Sequence, residues 1–231
     1  ASHKHRNNNM TIRQLTESKQ AQEVLGILRD ATQGSEFEGK LYMAGGYVRD
    51  TLLGRDSKDV DLLIDGDAHS GLRAAEYIAK KLGVYKADSN PVIFPTYYTA
   101  KLTVPTPSGK IDVEFVAPRK EKYQPGSRKP EVTAGELLDD VMRRDFTVNS
   151  LLQNLHTGKI LDLSGRGIAD LKAGILKPTG NPDVIFGEDP LRILRAVRFA
   201  NQIQFQVAHQ CDQVYQEARW FTEQHQQRTH Q

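Results

Sequence analysis

Gly45-Gly46-Tyr47-Val48-Arg49-Asp50, followed by Lys58-Asp59-Val60-Asp61-Leu62-Leu63-Ile64, is the stretch on which the reading of the fold turns. Side chains alternate faces along a β-strand, so Asp59 and Asp61 share one face and Val60 takes the other. Leu62, Leu63 and Ile64 place that strand in a core with its carboxylates near one end. The glycine pair permits close backbone approach to a phosphate. Two same-facing carboxylates beside such a cradle suit Mg²⁺, or Mn²⁺ in its place, held against a nucleoside triphosphate. The plainer alternatives are two surface acids on an exposed strand, a tight glycine turn, and an Arg49–Asp50 structural ion pair.

Working outward, residues 10–30 read as an amphipathic helix carrying Ile12, Leu15, Val24, Leu25 and Leu28. Residues 41–43 form a short strand into the glycines. Residues 48–53 read as a helix ended by Gly54. Strand 60–64 stops at Asp65-Gly66, and 68–82 is helical, with Leu72, Ala75, Ile78, Ala79 and Leu82 on one face. The pattern then turns to β, with strands at 97–104 and 110–116 joined by a turn at 105–109. Residues 118–135 read as a polar, basic loop, 136–142 and 146–155 as helical, 160–163 and 175–177 as strands, and 168–172 as a short helix. Residues 189–200 are strongly helical, and the glutamine-rich end reads as a polar tail. The expected fold class is α/β (α+β): a mixed sheet with flanking helices, then a mostly helical segment. The expected divisions are an N-terminal tail and helix over 1–37, a catalytic unit over 38–150, a helical segment over 151–206 and a tail over 207–231.

The 231 residues include 31 Lys and Arg against 29 Asp and Glu, a net charge of +2 that does not announce a nucleic-acid binder. Any such surface must come from local clustering. The one cysteine, Cys211, excludes an internal disulfide framework and a cysteine-rich zinc site, and suits a reducing, cytoplasmic setting. No apolar run is long enough to span a bilayer, and the polar, basic start does not read as a secretory signal.

Three further constellations carry chemistry. Glu114, in Ile111-Asp112-Val113-Glu114-Phe115, is a candidate third metal ligand, although Asp112 shares its face under strict alternation. Arg143-Arg144-Asp145-Phe146-Thr147-Val148-Asn149 reads either as a helix-start cluster capped by Asp145 or as a ribose site using Arg144, Asp145 and Asn149. In 188–200, Arg192, Arg195 and Arg198 recur every three residues along one side of a helix opened by Asp189 and Pro190. That ladder reads either as a solvated basic face or as a grip on a triphosphate. In the latter reading Asp189 and Arg192 address a base edge.

These residues, in this order, resemble the class II tRNA nucleotidyltransferases, the CCA-adding enzymes, and the related bacterial poly(A) polymerases. The G-G-x-V-R-D run with its D-x-D, R-R-D-F-T-x-N, the element from Asp162 to Leu171, and E-D-x-x-R at Glu188 to Arg192 carry the resemblance, over roughly residues 38–206. Arg119-Lys120-Glu121 is similar to the start of the family's flexible loop. The resemblance implies a nucleotidyltransferase-type sheet followed by a partial all-helical neck. It implies that Asp59 and Asp61 hold the catalytic Mg²⁺. Gly45, Gly46, Arg49, Arg195 and Arg198 would meet the triphosphate, Arg144, Asp145 and Asn149 the ribose, and Asp189 and Arg192 the base. The implied partners are CTP, ATP and the 3′ end of tRNA, with no membrane. The implied reaction is template-independent addition of C and A, with poly(A) synthesis, partial CC or A addition, or a catalytically weak RNA-binding module as the other readings. Family enzymes are usually much longer, so the chain reads as a head with part of a neck.

Overall fold

A computed structural model describes residues 12–57, 59–122, 131–181, 199 and 206–207, with side chains from Lys19 onward. The order is α1 (Ile12–Thr32), β1 (Leu41–Ala44), α2 (Gly46–Leu52), β2 (Val60–Ile64), α3 (Ser70–Lys81), β3 (Val92–Phe94), β4 (Thr99–Thr106) and β5 (Gly109–Val116). Then come β6 (Arg119–Lys122), β7 (Glu131–Ala134), α4 (Leu137–Met142), β8 (Leu152–Asn154), β9 (Ile160–Leu161), α5 (Gly167–Ala173), β10 (Ile175–Leu176) and β11 (Gln206–Val207). Seven strands make one mixed sheet in the order β3-β4-β5-β2-β1-β8-β9. The β2–β5 pair is parallel, and the other pairs of that sheet are antiparallel.

The two faces of the sheet divide by alternation. Val60, Leu62, Ile64, Val113, Phe115, Leu102 and Val104 point to one side and are buried there. Helices α1 and α3 close that side. In α1 the buried positions are Ala21, Val24, Leu25, Leu28 and Ala31, a stripe at helical spacing. In α3 they are Ala74, Ala75, Ile78 and Ala79. On the opposite side, α4 covers the β1–β8 end, where Val141 packs with Ala44, Leu63 and Leu152. The rest of that face, over β2, β5, β4 and β3, carries the acids.

Three expectations change. Residues 146–155 are not one helix: a 3₁₀ turn at Thr147–Asn149 leads into β8, which pairs with β1. The apolar residues Val148, Leu151 and Leu152 mimic helical spacing because the chain changes element between them. The sheet therefore runs on to residue 161 and is not complete at 150, and no all-helical segment begins at 151. The expected loop 118–135 is bounded by a two-stranded ribbon, β6 with β7. Its alternating charges hid it, since neither face is apolar. Helix α1 packs in the same core as the sheet. The expected helix 189–200 and the polar tail lie outside the described residues, apart from Phe199 and the short β11, which pairs with β10.

His156 ties the end of α1 to the β8–β9 hairpin. Its Nδ1 accepts the Gly39 N–H at 3.2 Å, so Nε2 holds the proton and faces Thr32 Oγ1 at 2.9 Å. Thr32 Oγ1 in turn donates a hydrogen bond to the Leu28 carbonyl oxygen at 2.7 Å. Burial holds the imidazole below its ordinary value, with Arg29 opposing its charge and Glu38 favouring it. Protonation would set an Nδ1–H against the Gly39 N–H. The folded pKa is depressed, so the contribution is present above the unfolded value and is lost as pH falls through the folded one. Thermal unfolding followed against pH should show stability falling below about pH 6.5, and His156→Gln should flatten that limb. An unchanged slope in the variant would assign the acid sensitivity elsewhere.

Candidate active site

The parallel register of β2 and β5 sets Asp61 directly opposite Glu114, and β4 places Lys101 opposite Glu114 in turn. Residues opposed in this way share a face, so Asp61 and Glu114 both stand on the open side. Both line a pocket of about 180 Å³ whose other walls include Ala44, Val116, Arg119, Arg143 and Arg144. Desolvation raises the Asp61 carboxyl above the ordinary range; Glu114 and Asp59 push it further up, and Arg144 pulls it back. Asp59 lies just ahead of β2, exposed, and is sensed by Asp61 through its charge.

Asp112 has the same facing as Glu114, as strict alternation requires, but its carboxylate is engaged. Thr103 donates to it at 2.7 Å and Lys101 pairs with it at 3.0 Å. The Thr103 hydrogen bond and then Lys101 hold it below the usual carboxylate range. Glu114 rather than Asp112 faces the pocket.

Gly45 ends β1 with φ 68° and ψ −132°, a conformation that a side chain would strain. A Cβ there would meet Arg144 Nη1 at 3.2 Å, and one on Gly46 would meet Arg49 Nη2 at 3.3 Å. The glycine pair thus brings the backbone against two guanidinium groups. Arg49 is held from several sides: its Nε and Nη2 donate to the Asp50 carboxylate at 2.8 and 3.0 Å, and its Nη1 to Asn149 Oδ1 at 2.6 Å. Its guanidinium also lies 4.4 Å from the Phe199 ring centroid. The Arg49–Asp50 ion pair is present, and it is one edge of a wider cluster. Asn149 donates to Asp145 Oδ1 at 3.0 Å, and that oxygen also accepts the Phe146 N–H at 2.8 Å. Asp145 thus binds the first N–H of the turn and the Asn149 amide rather than capping a long helix.

The buried anchor of the second group of charges, Asp140, was not legible in the sequence. Asp140 is fully buried and takes Arg143 Nε and Nη2 on one oxygen at 3.0 and 2.6 Å, and Arg144 Nη2 on the other at 2.9 Å. Arg143 Nη1 goes on to Glu121 at 3.0 Å, which Arg119 also meets at 3.0 Å. One carboxylate therefore aims two arginines, and a second ties Arg143 to the foot of the β6–β7 ribbon. The available signal was the i, i+3 and i, i+4 spacing of Asp140 from Arg143 and Arg144. Arg144 Nε is buried without a hydrogen-bond partner among the described residues.

The element from Asp162 to Leu171 buttresses this turn. Asp162 accepts the Gly167 and Ile168 N–H groups at 3.1 and 2.9 Å, starting α5. Asp170 accepts the Thr147 hydroxyl at 2.6 Å. A Cβ on Gly167 would lie 2.7 Å from the Thr147 carbonyl oxygen, so glycine is required for this approach. Thr179 donates from its hydroxyl to the carbonyl oxygens of Met142 and Arg144. Asp189, Arg192, Arg195 and Arg198 lie outside the described residues.

Among the described residues no group of three His, Cys, Asp or Glu side chains is gathered closely enough to hold a metal alone. Mg²⁺ does not require such a cage; one or two carboxylates, water and substrate phosphates suffice. Burial first, and then the neighbouring Glu114 and Asp59 charges, make the ionised Asp61 costly, and a hard cation would offset that cost.

The poly(A) polymerase head domain profile matches residues 41–177. The mitochondrial CCA tRNA nucleotidyltransferase of Saccharomyces cerevisiae is 36% identical over 210 residues, covering 84% of this chain and 38% of that protein. The A-adding tRNA nucleotidyltransferase of Aquifex aeolicus is 35% identical over 182 residues, covering 78% of this chain and 20% of that protein. The Thermotoga maritima CCA-adding enzyme complexed with tRNA_CCA matches with TM-score 0.61 and 26% identity, over 91% of this chain and 43% of that one. The chain thus spans less than half the length of these relatives. No helix among the described residues is long and apolar enough to cross a membrane.

Two outcomes follow from the charges. In metal-free buffer at neutral pH, Asp61→Asn should raise the melting temperature. The Asp61 carboxyl is easier to protonate folded than unfolded, so the wild type loses stability as pH rises through the folded pKa. The difference should vanish on acidification toward about pH 4, the ordinary carboxylate range; a variant melting lower than wild type at neutral pH would contradict it. Asp140→Ala strands two guanidinium groups and should cost about 3–5 kcal/mol in urea unfolding, whereas a loss under about 1 kcal/mol would mark the network as solvent-screened.

Proposed function

The chain belongs to the poly(A) polymerase head-domain family, and from that premise we propose that it is a template-independent RNA 3′-end nucleotidyltransferase that adds C and A to tRNA from CTP and ATP. The observation that carries the reading is the placement of Asp61 and Glu114 side by side on the open sheet face, across one pocket from Arg144 and Arg143. Acids on one wall and arginines on the other suit a substrate that is itself a polyanion requiring a cation.

In this reading Asp59, Asp61 and Glu114 hold Mg²⁺, or Mn²⁺ in its place. The bound ion supplies charge neutralisation of the phosphates and a lowered pKa for the attacking hydroxyl. The chain's own groups do the positioning. Gly45 and Gly46 let the triphosphate lie against the backbone, and Arg49, locked by Asp50 and Asn149, offers a guanidinium that need not reorganise. Arg144, aimed by Asp140, with Asp145 and Asn149, receives the ribose. Arg119 and Glu121 anchor the ribbon that borders the pocket. Asp189 and Arg192 serve as base template and Arg195 and Arg198 as phosphate contacts, roles that rest on the motif resemblance. The RNA 3′-hydroxyl attacks the α-phosphorus, a new phosphodiester forms and pyrophosphate leaves. Most of the acceleration comes from orientation and fixed charge. The single cysteine supports a reducing compartment such as the cytoplasm.

The test is incubation with Mg²⁺, labelled CTP or ATP, and tRNA transcripts ending before, within or after CCA, resolved at single-nucleotide length. Growth by three nucleotides that then stops is the expected result. Two cytidines and a halt, a single adenosine, or a long adenosine tail would reassign the product within the same chemistry. Asp59→Ala with Asp61→Ala should lower incorporation by at least about 10²–10³-fold; no incorporation by the wild-type chain, with RNA binding kept in both, would make the chain an RNA-binding module.

A further inference from the structure

Resting on the nucleotidyl-transfer reading above, we propose that the exposed edge of the sheet at β3 and the turn after it, Val92, Phe94 and Tyr97, is the docking strip for the unpaired bases at the 3′ end of the acceptor RNA. These side chains are 40, 43 and 46% exposed, a run of large apolar groups that the fold leaves uncovered among the described residues. β3 is the outermost strand of the sheet, beside β4.

The strip is continuous with the pocket. Val92 stands opposite Lys101, Lys101 opposite Glu114, and Glu114 opposite Asp61, so one row of the open face runs from the edge to the acids. Phe94 is in the next row of that face, opposite Thr99. The row crosses three strand spacings, about 14 Å, a distance suited to the last few nucleotides before the reacting 3′-hydroxyl. Arg119, which lines the pocket, donates to the Tyr97 carbonyl oxygen at 3.0 Å and joins the strip to the pocket wall.

The occupant follows from the chemistry. Single-stranded nucleic acid is bound by aromatic platforms for bases flanked by cations for phosphates. Phe94 and Tyr97 supply the rings. Lys101 lies between strip and acids, in an exposed pair with Asp112 that a phosphate can replace. A partner strand adding to the edge fits poorly. β3 is three residues long, and Pro91 and Pro95 on either side have no N–H to donate.

The experiment compares the wild-type chain with Phe94→Ala/Tyr97→Ala and with Phe94→Tyr. The probe is a tRNA transcript lacking CCA, with 2-aminopurine in its single-stranded 3′ end. Fluorescence reports binding, CTP incorporation reports turnover, and sedimentation velocity reports association. The double variant should bind the RNA about tenfold more weakly and lose the 2-aminopurine quench, with the KM for CTP within about twofold of wild type; Phe94→Tyr should keep both. Unchanged RNA binding in the double variant overturns the proposal. So does a raised KM for CTP at unchanged RNA affinity, or loss of a dimer at unchanged RNA affinity, which would assign the strip to contact between copies. A wild-type chain that binds the RNA but extends none sinks the transferase reading alone, and the binding comparison still decides the strip.

Discussion

The parallel pairing of β2 with β5 is the constraint on which the site depends. It holds Asp61 next to Glu114, although the two carboxylates repel. The pairing persists because the other side of the same strands buries Val60, Leu62, Ile64, Val113 and Phe115. A slip of one residue would turn every one of those side chains to solvent and drive the acids into the core. The hydrophobic pattern thus enforces an arrangement that the local electrostatics alone would reject. A divalent cation with its phosphate ligands turns that repulsion into attraction.

The opposing wall is set in the same manner, by a group buried behind it. Asp140 sits in the cover of the sheet with its two oxygens committed to Arg143 and Arg144. Long arginine side chains lose much rotamer freedom when ordered, and the carboxylate orders them before any ligand arrives. Glu121 carries the constraint to the ribbon, while Thr179 and the Asp170–Thr147 bond fix the turn bearing Asp145 and Asn149. The candidate ribose and phosphate groups among the described residues are therefore pre-oriented by neighbours in the adjoining sequence motifs.

Much of this was legible in the chain. The elements α1, β1, β2, α3, β4 and β5 form close to the expected bounds, because their apolar residues are the ones the core buries. After Phe146 the apolar residues are spaced as in a helix, yet Val148 lies in a 3₁₀ turn, Leu151 in the link after it and Leu152 in a strand. The β6–β7 ribbon escaped notice because its alternation is between charges. Asp140 drew no attention because an acid in a short helix ordinarily faces solvent, and only the packing of α4 on Leu63, Ala44 and Leu152 puts it inside.

The sequence by itself determined the chemistry available: a D-x-D at the head of an apolar strand, which turns Asp61 to the face opposite Val60 and Leu62, a glycine, Gly45, at a backbone that a side chain would strain, and four motifs in a diagnostic order. Those follow from strand alternation and from the missing Cβ, which are local properties. The tertiary structure alone decided which of Asp112 and Glu114 faces the pocket: the two are equivalent by alternation, yet the register sets Glu114 beside Asp61 while Lys101 and Thr103 engage Asp112. It also decided that Arg49 works from a fixed cluster and that Arg143 and Arg144 share one buried anchor. Such choices depend on which strands become neighbours, and neighbours far apart in the chain are selected by burial of the whole sheet.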